Sequence, residues 1–255
     1  MADQSHSPLP LPRVSVVIPT LNEARNLPRV FAALPPDTYE IIVADGRSVD
    51  DTLAVVRELR PEARIVTQAR PGRYNALARG CAAATGDVIA LINADGSTDA
   101  AEIPGFVSAL LAGADFAKGT RFARGGGSED MPRIRGFGNR MLTELVNVLY
   151  GTRYTDLSGF IVFWQKHLSV LGLDATTSPA DDGRHRRGNG LEIETLISIR
   201  AATAGLSVVE VAGLERSRIY RVSNLSAVTD GLRVLRMVTY ERFSASRHRD
   251  SPPPA

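Results

Sequence analysis

Cysteine occurs once in the 255 residues, at Cys81. A single thiol excludes a disulfide framework and a zinc site built on clustered cysteines. Set after Gly80 in an Ala-rich segment, it reads as a small buried residue. Histidine is also sparse: the four lie at positions 6, 167, 185 and 248 and suggest no Ser-His-Asp arrangement. His185, in the charged stretch "DDGRHRRGN", reads as a solvated loop residue. The first loop carries no G-x-G-x-x-G, which argues against a classical dinucleotide fold, and no G-x-x-x-x-G-K-[ST] exists, which excludes a P-loop NTPase. No stretch reaches the roughly 18 apolar residues of a spanning helix. The opening "MADQSHSPLPLPR" has no basic segment followed by an apolar one, so a secretory leader is not expected. Thirty Lys plus Arg against 28 Asp plus Glu leave a net charge of +2, and nothing global demands nucleic acid. The expectation is a cytoplasmic protein.

What is present is ordinary for a globular chain: 44% hydrophobic and 23% charged residues, in a length that fits one large domain. Residues 1–12 and the Pro-rich 245–255 read as disordered arms. Between them, strands and helices alternate. "VSVVIP" (14–19) is a β-branched run stopped by Pro19, and "TLNEARNLPRVFAAL" reads as a helix with Thr20 and Glu23 at capping-box spacing. "YEIIVADG" (39–46) is a second strand, followed by a helix in which Ser48 and Asp51 repeat that spacing. "ARIVTQA" leads to an Ala-rich helix after Tyr74, and "DVIALINA" to a helix over 99–113. Such alternation predicts an α/β fold of parallel βαβ units.

The second half is less regular. "ADFAKGTRF" (114–122) and "SGFIVFW" read as strands, and "ARGGGSEDMP" as a mobile loop. Residues 132–150 form a helix with Met141, Leu142, Leu145, Val146 and Leu149 on one stripe, suited to the core or to a membrane surface. After the charged loop "TTSPADDGRHRRGNG" come a helix, "LEIETLISIRAATAG", a strand, "LSVVEVAG", and a last helix near 226–243.

Sheets of this kind bind ligands beyond the carboxyl ends of their strands. That rule brings Pro19–Glu23, Asp45–Ser48, Pro71–Asn75 and Asn93–Ser97 to one rim. Asp45 is either a ligand for a base or ribose or a turn residue before Gly46. Asp50 and Asp51 suit the first turn of a helix, and Asp99 with Glu102 marks another helix start. Asp95 stands ahead of that cap, directly after the fourth strand. A hard cation such as Mg²⁺ takes one or two carboxylates plus substrate phosphates, so Asp95 is a metal candidate as well as a turn residue. Asn93, two residues earlier, points the same way in a strand and can ligate or hydrogen-bond.

Taken together, "VSVVIPTLNEARNLP", "IIVADGRSVDDT", "AAATGDVIALINADGSTD", "FAKGTRFARGG", "GFGNRMLTELVNVLYGTRYTDLSGF", "LEIETLISIRAATAG" and "ERSRIYRVSNL" resemble the inverting family 2 glycosyltransferases, in particular the dolichol-phosphate mannosyltransferase-like branch. The resemblance covers about residues 14 to 240. It implies a GT-A fold, a Rossmann-like mostly parallel sheet flanked by helices, as one domain over 13–244. The nucleotide-binding half would be about 13–122 and the acceptor-side half about 123–244. It implies that Asp45 and the segment Pro19, Thr20, Asn22 and Glu23 line a nucleotide pocket, with Asn75 on the same rim. It also implies that Asp95 holds Mg²⁺ or Mn²⁺, with Asn93 where the family's D-x-D has its first acid. The loop "PGRYNAL" departs from the family's G-x-G: Arg73 replaces a cation near the donor phosphate, and Tyr74 adds bulk. Arg218 and Ser223 match an R-x-x-G-x-S pattern in which Arg221 stands for Gly, and Arg218 would meet the diphosphate. "TDLSGF" resembles the segment that contacts donor sugar and acceptor, through Asp156 and Ser158.

The implied reaction is in-line transfer of a hexosyl group from a nucleotide-diphosphate sugar, of GDP-mannose or UDP-glucose type, with inversion. The acceptor is either a polyprenyl phosphate, which needs no strong base, or a soluble small molecule, whose hydroxyl needs Asp156, Glu192 or Glu194 to take its proton. Glu192 and Glu194, two apart at a helix start, cannot share a face; the family favours Glu194 near the sugar. Peripheral contact with the inner membrane face and a homodimer stay open. Two rival readings are a catalytically weak nucleotide-sugar-binding partner or regulator, suggested by Asn93 and "GRYNAL", and a nucleotidyltransferase, whose Gly-rich, Lys-containing first loop "PTLNEA" lacks.

Overall fold

A computed structural model describes residues 11–129, 131–174, 192–217 and 227–249. A seven-stranded sheet runs in the order β3-β2-β1-β4-β7-β5-β8. Its first four strands are β1 (Val14–Thr20), β2 (Glu40–Asp45), β3 (Arg64–Thr67) and β4 (Val88–Leu91), all parallel. β5 (Phe116–Thr120) and β8 (Val208–Ala212) pair parallel to each other. Between the two groups lies β7 (Ile161–Trp164), antiparallel to both β4 and β5. Because β7 runs the opposite way, its beginning meets the carboxyl ends of its neighbours: Ile161 pairs with Leu91 on one side and Lys118 on the other. The loop before β7 is thereby delivered to the rim. The expected mostly parallel α/β sheet is present, with one reversed strand that the alternation did not foretell.

Side chains alternate across the pleat, and the two faces have separate cores. Val16, Ile18, Val43 and Ala90 pack under α1 (Leu27–Ala32), α2 (Thr52–Leu59) and α4 (Ile103–Leu111). Val17, Ile42, Ile89 and Phe163 pack under α3 (Arg73–Ala83), α5 (Arg133–Tyr150), α6 (Glu192–Thr203) and α7 (Ala227–Arg249). Cys81 lies in this second core, fully buried, and burial pushes its thiol up.

Several local expectations need correction. The first helix starts at Leu27, not after Thr20: Thr20 still pairs with Asp45, so strand pairing overrides its capping spacing. Ser48 and Asp51 make no side-chain cap either; Asp50, one residue before the cap position, accepts from the Thr52 amide at 3.0 Å. β4 stops at Leu91, so Asn93 and Asp95 belong to the turn beyond it rather than to one strand face. The stretch expected to be a loop over 123–132 contains a short strand, β6 (Gly127–Ser128), paired with β9 (Leu214–Glu215). The last helix, expected near 226–243, runs on to Arg249. Asp99 behaves as a helix start requires, its Oδ1 accepting from the Ala101 amide at 3.1 Å. The loop with His185 lies outside the described residues.

α3 approaches the sheet closely at Gly80, where a Cβ would stand 2.5 Å from Val17 Cγ1 and 3.1 Å from Ala44 Cβ. Overpacking a core position typically costs about 1–3 kcal/mol. Gly80→Ala is therefore expected to lower the urea midpoint by that much stability with the m-value unchanged; an unshifted midpoint would contradict the close approach.

Candidate active site

The rim gathers the carboxyl ends of β1, β2, β4, β5 and β8 with the start of β7. Its first two loops are tied to each other. Asn22 adopts a left-handed backbone, φ 58°, which asparagine tolerates better than most residues. Its amide donates to Ser48 Oγ at 3.0 Å and its Oδ1 accepts from the Val49 amide at 2.8 Å. Glu23 donates its amide to Thr52 Oγ1 at 2.8 Å, and its carboxylate accepts from Asn26 Nδ2 at 2.5 Å. Asp45, 2% exposed, accepts from the amides of Arg47 (2.9 Å) and Ser48 (3.2 Å), the turn half of its two readings. Thr20 is buried beside it, its hydroxyl without a partner among the described residues. Asn75 Oδ1 accepts from the Arg70 amide at 3.0 Å and shapes the entry to α3.

Beyond β4, Asp95 is half-buried, and its Oδ1 accepts from both the amide and the hydroxyl of Ser97, at 3.0 and 2.6 Å. Asn93 Nδ2 reaches the same hydroxyl at 3.4 Å. The two residues therefore converge through Ser97 and not through strand alternation. Among the described residues no three His, Cys, Asp or Glu side chains cluster as a metal site. One half-buried carboxylate at a rim fits a hard divalent cation whose remaining oxygens come from a bound phosphate.

Arg73 Nη2 donates to Asn93 Oδ1 at 2.5 Å and to Glu194 Oε1 at 2.7 Å, linking α3, the turn after β4 and α6. Glu194 is 9% exposed, and its Oε2 is buried without a partner among the described residues. It lines a cleft of about 570 Å³ together with Asn93, Ser97, Arg121, Ser158 and Glu215. Pro19, Arg73 and Glu194 also line a smaller cavity behind it, of about 300 Å³. Glu192 opens α6. Tyr74 turns into the core instead of crowding the cleft: its hydroxyl donates to the Gly172 carbonyl and accepts from Arg200 Nη1 at 2.8 Å.

The far wall is a charge network of which sequence reading named Asp156 and Ser158 but missed Arg121, Lys118 and Glu215. Arg121 follows β5 directly, and its Nε and Nη2 donate to the two oxygens of Asp156 at 2.7 and 2.8 Å. Nη2 also donates to Ser158 Oγ at 2.6 Å, and Nη1 to Glu215 Oε2 at 2.8 Å. Asp156 is fully buried. Burial alone would push its carboxyl up; the Arg121 fork and charge, with Lys118 adding, outweigh it and hold the group below the usual carboxylate range. Lys118, 1% exposed, donates to the Asp156 carbonyl and lies 3.6 Å from Glu210; burial lowers its ammonium despite those charges. An acid held ionised on a guanidinium is not poised to abstract a proton, so Asp156 is an anchor for Arg121, whereas Glu194 lines the cleft beside Glu102 and Glu215. Glu102, whose carboxyl is raised by burial, accepts from the Leu214 amide at 2.9 Å and closes the floor. Extending the strand-end rule to β5 would have found Arg121; Glu215 carries no local signal. Arg218 and Ser223 lie outside the described residues.

The family model for glycosyl transferase family 2 matches residues 15–171. The chain belongs to glycosyltransferase family 2. An uncharacterized glycosyltransferase of Mycobacterium tuberculosis is 34% identical over 220 residues, spanning 86% of this chain and 91% of its own. Polyprenol monophosphomannose synthase of Mycolicibacterium smegmatis is 30% identical over 237 residues, 85% of this chain and 82% of that one. The similarity thus reaches the branch that the motifs resemble. Among solved structures, glucosyl-3-phosphoglycerate synthase from Mycobacterium tuberculosis, in complex with Mn²⁺, UDP and glucosyl-3-phosphoglycerate, matches with a TM-score of 0.66. Its identity is 25%, over 91% of this chain and 80% of that one. This glycosyltransferase has the GT-A fold expected of the family.

Breaking one side of a buried ion pair typically costs about 3–5 kcal/mol. Arg121→Ala, which strands Asp156, is expected to lose that much stability and all transfer activity. The contribution of Asp156 is fully present above its unfolded value, near 4, and is lost as pH falls through its depressed folded value. Asp156→Asn removes it, so the stability gap between wild type and variant, followed by urea unfolding, should shrink below about pH 4. A gap independent of pH would exclude the charged pair.

Proposed function

We propose that this glycosyltransferase moves a hexosyl group from a nucleoside-diphosphate sugar to a polyprenyl phosphate seated at a membrane surface. The observation that carries the acceptor half is a second apolar stripe on α5. Of the stripe expected from the sequence, Leu142, Val146 and Leu149 face the core, but Met141 does not, because it lies about a quarter-turn away from them on the helix. Ile134, Phe137 and Met141 are 71%, 66% and 60% exposed. Phe122, next to Arg121 at the cleft, adds a further exposed ring. Phe122, Phe137 and Arg140 line a groove of about 940 Å³. An apolar strip flanked by Arg135 and Arg140 suits an interface of acyl chains and anionic headgroups. Among the described residues no helix is long and apolar enough to cross a membrane, so the contact would be peripheral.

The donor half rests on the family and on the rim. Asp45 with the segment Pro19 to Glu23 would hold the base and ribose, and Arg73 and Arg218 the diphosphate. Asp95, with Asn93 and Ser97 behind it, would hold Mg²⁺ or Mn²⁺; when bound, the cation neutralises charge on the departing diphosphate. The glucosyl-3-phosphoglycerate synthase structure, which contains Mn²⁺ and UDP, supports this assignment. Catalysis is then mostly positioning. A phosphate acceptor is already anionic, so Glu194 serves the sugar's hydroxyls rather than acting as a base. Ser158 and Asp156 keep Arg121 at the place where acceptor and donor meet. GDP-mannose and UDP-glucose are the first donors to test.

Burying an apolar side chain is worth about 1.5–3 kcal/mol, so the double change Phe137→Ser, Met141→Ser should reduce partitioning onto anionic vesicles by at least about 100-fold. Transfer to vesicle-borne polyprenyl phosphate should fall in parallel, with donor affinity unchanged. Asp95→Ala should abolish metal-dependent transfer. Efficient transfer to a soluble phosphorylated acceptor, with no vesicle binding, would overturn the membrane reading.

A further inference from the structure

The contact between Arg73 and Glu194 holds two groups that the donor should use separately. Arg73 is a guanidinium with five N–H donors, yet among the described residues only Nη2 is engaged, with Asn93 and Glu194. Its side chain is 28% exposed, so its other nitrogens are not sealed in the wall. Glu194 has one oxygen on Arg73 and the other buried, unpartnered and lining the cleft. Leaving a buried carboxylate oxygen without a partner costs about 1–3 kcal/mol or more, and such an orphan in a binding cleft marks the place of an absent donor group. Asn93 sharpens the asymmetry: as a neutral amide it accepts from Arg73 but contributes no charge, so Glu194 is the only carboxylate bonded to that guanidinium among the described residues.

The geometry points to Arg73 as an exchangeable latch. It neutralises Glu194 until a diphosphate takes the guanidinium, and both Glu194 oxygens are then presented to the hydroxyls of the transferred sugar. This rests on the nucleotide-sugar reading above and deepens it. A diphosphate carries more charge than one carboxylate and matches the guanidinium fork with two oxygens, so the exchange runs toward the donor. A free nucleoside diphosphate breaks the latch and leaves Glu194 with nothing to hold, whereas a nucleotide sugar supplies the hydroxyls. The sugar part of the donor is therefore rewarded twice, by its own hydrogen bonds and by satisfying the released carboxylate.

The test is titration calorimetry of UDP, GDP, UDP-glucose and GDP-mannose, each with Mn²⁺, against wild type, Glu194→Gln, Arg73→Met and the double variant. Melting curves confirm that each is folded, and Glu194→Ala and Arg73→Gln stand in for a variant that is not. Glu194→Gln should tighten the bare diphosphate at least threefold, because no ion pair is given up. It should also shrink the affinity advantage of the nucleotide sugar over the bare diphosphate. In the Arg73→Met background, Glu194→Gln should no longer tighten the diphosphate. A general repulsion between Glu194 and phosphate would survive there, and that additivity would overturn the latch. Unchanged or weakened diphosphate binding in Glu194→Gln would also overturn it. Wild type that binds none of the four ligands would refute the nucleotide-sugar reading itself, and the latch with it.

Discussion

The buried fork between Arg121 and Asp156 is the contact on which the cleft depends. It spans two segments that are 35 residues apart and sit at the ends of oppositely directed strands. Coulomb attraction in a poorly solvated setting is strong only where geometry is good, and this pair has two parallel bonds with further partners on each side. Ser158 and Glu215 take the remaining guanidinium contacts, and Lys118 braces the Asp156 carbonyl. Gly159 completes the arrangement: its φ is +137°, and a Cβ there would collide with the Gly119 carbonyl, so no side chain fits. The loop before β7 is thus pressed onto β5 by charge and by the absence of bulk together.

That wall faces a softer one. On the far side of the cleft, Arg73, Asn93 and Glu194 are joined through a single guanidinium nitrogen, and one carboxylate oxygen is left over. The contrast is physical. Asp156 is sealed and fully paired, so its charge is structural; Glu194 is enclosed but under-paired, so its charge is available.

Local pattern made much of the fold legible. β-branched runs ended by turn residues located β1, β2 and β4, and their alternation with helices implied the parallel half of the sheet. Chain order and strand ends were enough to bring Asp45, Arg73 and Asp95 to one rim, where the structure has them at the end of β2, the start of α3 and the turn beyond β4. Sequence reading failed where a residue's role is set by a distant partner. Thr20 and Glu23 have capping-box spacing, but pairing with β2 and the Thr52 hydroxyl claim them instead. Asp156 looks like any acid before a Ser-Gly turn until Arg121 is seen beside it.

The amino-acid sequence alone determined the class of fold, the family and the rim, because hydrophobic period, turn chemistry and motif order are properties of short segments. The tertiary structure alone decided which acids are locked and which are open, that Tyr74 leaves the cleft for the core, and that α5 keeps an apolar stripe outward. Those outcomes depend on burial and on charges brought together from far along the chain. No local spacing encodes the dielectric surroundings of a carboxylate or the face on which a helix finds its neighbours.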